Sequence, residues 1–154
     1  MDSHTRILVV DDDESIRKVL TTILEEEGYS VETAESGREA IKKSNERFYN
    51  LALIDIRLPD MMGTHLLAAI KETTPRMVKI IITGYPSLQN AIEAVNSGAD
   101  AYILKPFNVD KTLSIIREHL KEQQENKKYS QTKVAEFIET RGREIEATNR
   151  KKHL

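Results

Sequence analysis

Five short apolar runs punctuate the chain at Arg6–Val10, Ser30–Thr33, Leu51–Ile54, Val78–Ile82 and Ala101–Leu104. They are four or five residues long and mostly rich in β-branched side chains, the signature of buried strands. Between them the apolar residues repeat at three and four positions, as helices require. Ile16, Val19, Leu20, Ile23 and Leu24 make one such stripe, closed by Gly28. A second helix opens at Ser36-Gly37 and carries Ala40 and Ile41; a third carries Leu66, Leu67 and Ile70. Pro86 and Ser87 start a fourth with Leu88, Ala91, Ile92 and Val95, closed by Gly98. Asn108 or Asp110 caps a fifth with Leu113, Ile116 and Leu120. Strands alternating with helices predict an α/β fold, a doubly wound five-stranded parallel sheet with helices on both faces. Right-handed crossovers leave few ways to thread it.

That architecture places ligands beyond the carboxyl ends of the strands. Four of the five runs end there on chemistry: Asp11 and Asp12, Asp55, Thr83 and Lys105. Each residue has an ordinary reading. An acidic run suits a helix N-terminus, and a threonine or lysine beside a turn is common. At the ends of several strands of one sheet they make a set. Asp12 and Asp55 can offer carboxylates to Mg2+, with Asp11 holding a water ligand, because Mg2+ prefers a few hard oxygens and retained water. An aspartate is also a competent nucleophile toward phosphorus. Crowded acids repel an incoming phosphoryl group unless the metal and Lys105 neutralise them. Thr83 can donate a hydrogen bond to a phosphoryl oxygen, and Gly84 leaves room beside it.

Composition removes other classes. The chain has 154 residues and no cysteine, which excludes disulfides, thiolate metal sites and cysteine nucleophiles. A net charge of -2 argues against direct nucleic-acid binding. No apolar stretch approaches the roughly 18 residues of a membrane span, and no signal-peptide pattern opens the chain. The expectation is a soluble, cytoplasmic protein. His4, His65, His119 and His153 are scattered and read as surface residues. From about Glu122 the sequence turns charged, which suggests residues 1–121 as the folded domain and 122–154 as a helical extension or linker. In that extension Val134, Ile138, Arg141 and Ile145 are spaced four, three, four. The spacing suits a homodimer seam as well as a helix packed back or left mobile.

The motifs Ile7-Leu-Val-Val-Asp-Asp-Asp13, Leu53-Ile-Asp-Ile-Arg-Leu-Pro-Asp60 with Gly63, Ile81-Ile-Thr-Gly-Tyr85 and Gly98-Ala-Asp-Ala-Tyr-Ile-Leu-Lys-Pro-Phe107 occur in family order and spacing. From Arg6 to about Lys121 the chain resembles the response-regulator receiver domains of two-component signalling. The resemblance implies the flavodoxin-like (βα)5 receiver fold. It implies Asp55 as phosphoacceptor, Asp11 and Asp12 as the acidic pair for Mg2+, and the backbone carbonyl of Arg57 as a further metal ligand. Thr83 and Lys105 would sense the phosphoryl group, and Tyr102 stands at the switch aromatic. Arg57 and Tyr85 occupy positions that tune acyl-phosphate lifetime, and their size leans toward a long-lived state. Met62 departs from the acidic residue the family often has before Gly63. The implied partners are a histidine kinase and a downstream protein or phosphotransfer partner, in a signalling module and not a metabolic enzyme. About 33 residues past the domain are too few for a DNA-binding core; a stand-alone regulator, a relay intermediate and a fragment of a longer regulator all remain open. A haloacid-dehalogenase-type phosphatase using Asp11 and Asp13 fits poorly: no glycine-threonine follows Asp13, no acidic pair follows Lys105, and Asp55 is left idle. A flavodoxin-like cofactor carrier lacks its Ser/Thr/Gly-rich phosphate loop.

Overall fold

Parallel strands bury both faces, so each must send alternate side chains into two different cores. The computed structural model of the chain shows this division. It describes residues 4–84 and 87–152, without the side chains of Ser130 and residues 140–152. The elements run β1 (Arg6–Val10), α1 (Glu14–Glu26), β2 (Ser30–Ala34), α2 (Gly37–Glu46), β3 (Leu51–Asp55), α3 (Gly63–Ala69), β4 (Val78–Thr83), α4 (Leu88–Asn96), β5 (Ala101–Leu104) and α5 (Val109–Lys152). All neighbouring strands are parallel, in the order β2-β1-β3-β4-β5. The order reverses between β1 and β3, which is where a doubly wound sheet opens a crevice.

Leu8, Val10, Ala52, Ile54 and Ile81 point to one face and pack with Ala40 of α2, Leu66 and Leu67 of α3 and Ala94 of α4. Ile7, Val9, Leu51, Leu53, Ile80 and Ile82 point to the other, against Leu20 and Leu24 of α1 and Leu113, Ile116 and Leu120 of α5. The helix ends follow local chemistry. Asp13, Ser36 and Ser87 each cap a first turn by accepting a backbone N–H. Asn108 does so for α5, its Oδ1 accepting from Lys111 N at 3.0 Å. Gly28 and Gly98 take φ of 92° and 99°, the left-handed turn expected past a helix end.

Two expectations need correction. The apolar stripe of α4 is turned outward: Leu88 is 78% exposed and Val95 70%, while Ala94 is the buried residue. Small alanines let α4 lie on the sheet, which leaves its larger side chains at the surface. Val19 of α1 is likewise half exposed, with Leu20 and Leu24 carrying the burial. Ile16 and Ile23 of α1, and the apolar positions named above for α2, α3 and the start of α5, lie in the two cores or pack against them.

The chain divides into two compact units, Met1–Leu120 and Lys121–Leu154. Both cores belong to the first. In the second, Tyr129, Val134, Phe137 and Ile138 are all more than half exposed. The Lys133 ammonium stands 5.5 Å from the Tyr129 ring centroid, within cation–π range. Of the four seam positions, the side chains of Arg141 and Ile145 lie outside the described residues. No helix among the described residues is long and apolar enough to cross a membrane.

Candidate functional site

The strand ends bring the acids together because β1 and β3 are neighbours in register, Val10 opposite Ile54. Asp11 follows β1 with its backbone N–H tied to the Ala34 carbonyl at 3.1 Å. Asp55 is the last residue of β3. Asp11, Asp12 and Asp55 each present a carboxylate oxygen, all within 4.8 Å of one another. Asp11 is 3% exposed, so its two oxygens need partners. One accepts from Asp13 N at 2.9 Å and the other from Lys105 Nζ at 2.9 Å. Asp12 is exposed. Asp13 turns away to cap α1, accepting from Ser15 N and Ile16 N. That commitment further weakens any role for Asp13 as a second catalytic acid.

Lys105 follows β5 and reaches across the sheet end, 3.5 Å from Asp55 Oδ1. Burial works against its charge, but the hydrogen bond and charge of Asp11, with those of Asp55, outweigh this and raise its pKa above the usual lysine value. Asp55 is pushed above the ordinary carboxylate range, first by burial and next by the Asp11 charge, with Lys105 and the Arg57 N–H opposing. Burial and a neighbouring carboxylate both disfavour the charged form of Asp55. Thr83 is fully buried at the end of β4 and accepts Lys105 N at its carbonyl, at 2.7 Å. A Cβ on exposed Gly84 would lie 3.8 Å from Lys105 Cβ, in ordinary contact.

Arg57 lies in the loop after β3, exposed, and pairs with Met62 in an isolated antiparallel bridge. Gly63 closes that loop against the strand: a Cβ there would stand 2.3 Å from the Asp55 carbonyl oxygen. Tyr102 of β5 packs against the core that contains Ile81. Its hydroxyl is buried and has no hydrogen-bond partner among the described residues, so it is not the solvated hydroxyl of a plain strand tyrosine. Tyr85 lies outside the described residues. His4 and His65 are exposed; His119 is partly buried, with Nδ1 2.8 Å from the Ile115 carbonyl, and His153 lies outside the described residues.

The motifs did not reveal Arg17 as a neighbour of the site. Its guanidinium, 13% exposed, donates to the Asp11 carbonyl at 2.8 Å and pairs with Glu35 at 3.2 Å. Its only sequence signal is a cation one turn into α1, which solvated helices share.

Comparison with known proteins agrees with this fold. A family model described as the response regulator receiver domain matches residues 7–117. The transcriptional regulatory protein ZraR of Escherichia coli O157:H7 is 41% identical over 104 residues, 68% of this chain and 24% of that protein. The chain thus spans about a quarter of the length of such regulators. A CheY-like receiver domain protein from Methanospirillum hungatei JF-1 superposes with a TM-score of 0.75 at 50% identity, covering 79% of this chain and 98% of that one. The beryllofluoride-activated NtrC4 receiver domain, solved as a dimer, gives 0.72 at 43% identity, covering 77% and 98%.

Proposed function

Since this chain belongs to the response regulator receiver domain family, whose work is phosphorylation-dependent signalling, we propose that it is switched by a phosphoryl group carried on Asp55. The observation that supports this most is the placement of Asp55 at a strand end, its carboxylate grouped with those of Asp11 and Asp12 and 3.5 Å from the Lys105 ammonium. An Asp55 oxygen attacks phosphorus and forms an acyl-phosphate bond. The phosphorus–nitrogen bond of a histidine kinase's phosphohistidine breaks, and the departing imidazole keeps the electron pair and takes up a proton from solvent. Lys105 lies where it can meet charge on a phosphoryl oxygen, and Thr83 can donate its hydroxyl to another.

The donor set fits a hard divalent cation. It consists of three carboxylates whose oxygens lie within 4.8 Å of one another. Asp12, Asp55 and the Arg57 carbonyl would hold Mg2+, with Asp11 ordering a water ligand. When bound, Mg2+ supplies charge neutralisation at the phosphoryl oxygens. Tyr102, whose hydroxyl has no partner among the described residues, is suited to respond when Thr83 moves. Arg57 and Tyr85 would shield the acyl phosphate from water and lengthen its life; rapid loss of label from phosphorylated protein would sink that reading. The domain assists only its own phosphorylation and dephosphorylation. It works in the cytoplasm on residues 1–121, with 122–154 as an extension, and passes its state to a downstream protein or phosphotransfer partner.

Intact-mass spectrometry after mixing with acetyl phosphate tests the core of this. We expect one added phosphoryl mass with Mg2+, and none without Mg2+ or in Asp55→Asn. A gain that persists in Asp55→Asn but vanishes in Asp11→Asn would move the nucleophile to Asp11.

A further inference from the structure

The loop that carries Arg57 is tied at both ends. At its base Gly63 N donates to the Ile56 carbonyl at 2.7 Å, and Arg57 bridges Met62. Near its tip Leu58 N donates to the Met61 carbonyl at 3.1 Å. These bonds make residues 56–63 a small stiff hairpin. Its tip is fastened to another element. The Asp60 carboxylate accepts from Gly37 N and from Arg38 N, one oxygen each, both at 2.9 Å. Those are the first two N–H groups of α2, which no helix can satisfy from within. The helix's own cap is occupied elsewhere: Ser36 Oγ accepts from Glu39 N at 3.2 Å. Asp60 therefore supplies what the local sequence does not. Next to it Met61 lies flat over Gly37. A Cβ on Gly37 would fall 2.3 Å from the Met61 sulfur and 2.5 Å from Met61 Cγ, so glycine is needed for this close approach.

The turn before α2 also reaches the other side of the site. Glu35 pairs with Arg17, and Arg17 holds the Asp11 carbonyl. One turn, residues 35–38, is thus linked to the loops that follow both β1 and β3. Those two loops and the β3 end carry the acids and the Arg57 carbonyl.

We propose that Asp60, through Gly37 and Arg38, is a positioning residue that sets the Arg57 carbonyl for the metal, although it touches neither metal nor phosphoryl group. The inference rests on the Mg2+ reading above. A rigid hairpin pinned at its tip holds its middle in place. Released, the tip can swing, and the Arg57 carbonyl swings with it. Residues that orient metal ligands from behind typically change metal affinity about 10- to 100-fold when removed.

The test is calorimetric titration with Mg2+ of the wild type, Asp60→Ala, Asp60→Asn and Asn50→Ala. Asn50 is the control: its Oδ1 accepts from Arg6 N at 2.9 Å, at the amino end of the sheet. Deuterium exchange over residues 56–63, without metal, is read in parallel. We expect Asp60→Ala to raise the Mg2+ dissociation constant about tenfold. Asp60→Asn, which keeps one acceptor, should fall between it and the wild type. Asn50→Ala should bind Mg2+ as the wild type does, whatever stability it loses. Exchange at 56–63 should quicken in Asp60→Ala, less in Asp60→Asn, and not in Asn50→Ala. A wild type that binds Mg2+ beside an Asp60→Ala that binds it equally well would overturn the positioning role. A wild type that takes up no Mg2+ would overturn the metal reading and this inference together.

Discussion

Asp60 has a second consequence, in how stability depends on pH. Hydrogen bonds from the Gly37 and Arg38 N–H groups, aided more weakly by the Arg38 charge, hold its pKa below the ordinary 3.8. A carboxyl depressed on folding contributes stability that is complete above its unfolded value. That contribution disappears as pH falls through the lower folded value. Urea unfolding of wild type and Asp60→Ala should therefore show a gap at pH 5 to 7 that closes below about pH 3.8. A gap independent of pH would mean that the carboxylate charge is not what the helix end uses. Tyr102 makes the opposite kind of prediction. Its buried hydroxyl has no partner among the described residues, and an unsatisfied buried group typically costs about 1–3 kcal/mol. Tyr102→Phe should keep the ring's packing and raise stability by about 1 kcal/mol in urea unfolding without phosphate. A loss of stability would show that the hydroxyl has a partner after all. The acids Asp11, Asp12 and Asp55 were legible as a group because strand ends in a parallel sheet converge. Asp60 was not, because a carboxylate after a proline looks like any loop residue and its partners lie 22 and 23 positions away.

Among the elements, α3 shows what a missing local signal does. Met62 stands at its N-cap, and no side chain accepts a first-turn N–H there. It is 42% exposed, so a polar group at this position would not need to be buried. Met62→Asp restores the acidic residue that the receiver pattern often has. It should stabilise the fold by about 1 kcal/mol through a cap and the helix dipole. Thermal or urea unfolding checks this, and an unchanged midpoint would mean that the Arg57–Met62 bridge fixes Met62 where a carboxylate cannot reach the turn. The strands were readable because short β-branched runs cannot be solvated helices. Helix α4 was readable in extent but not in orientation. Periodicity finds an apolar stripe without saying whether the sheet or solvent lies under it, and here alanine rather than Leu88 or Val95 meets the core.

At the scale of the whole molecule, the reversal of strand order between β1 and β3 decides where the site lies, and it is a property of threading that no local run encodes. Alternation and right-handed crossovers narrowed the choices, but the order β2-β1-β3-β4-β5 came from the structure. Both cores are complete by Leu120. Beyond it, Val134, Phe137 and Ile138 stay more than half exposed and so bury little apolar surface. Stability follows buried apolar area, so residues past the first unit should add little to it. A protein ending at Glu125, which leaves a margin of helix beyond Leu120, should unfold within about 0.5 kcal/mol of the full chain, the range of ordinary surface changes. Its far-UV signal should lose helix, since the removed segment is part of α5. Acetyl phosphate with Mg2+ should still add one phosphoryl mass. A markedly lower urea midpoint would show that residues after 125 support the core, and the proposed boundary near residue 121 would then have to move.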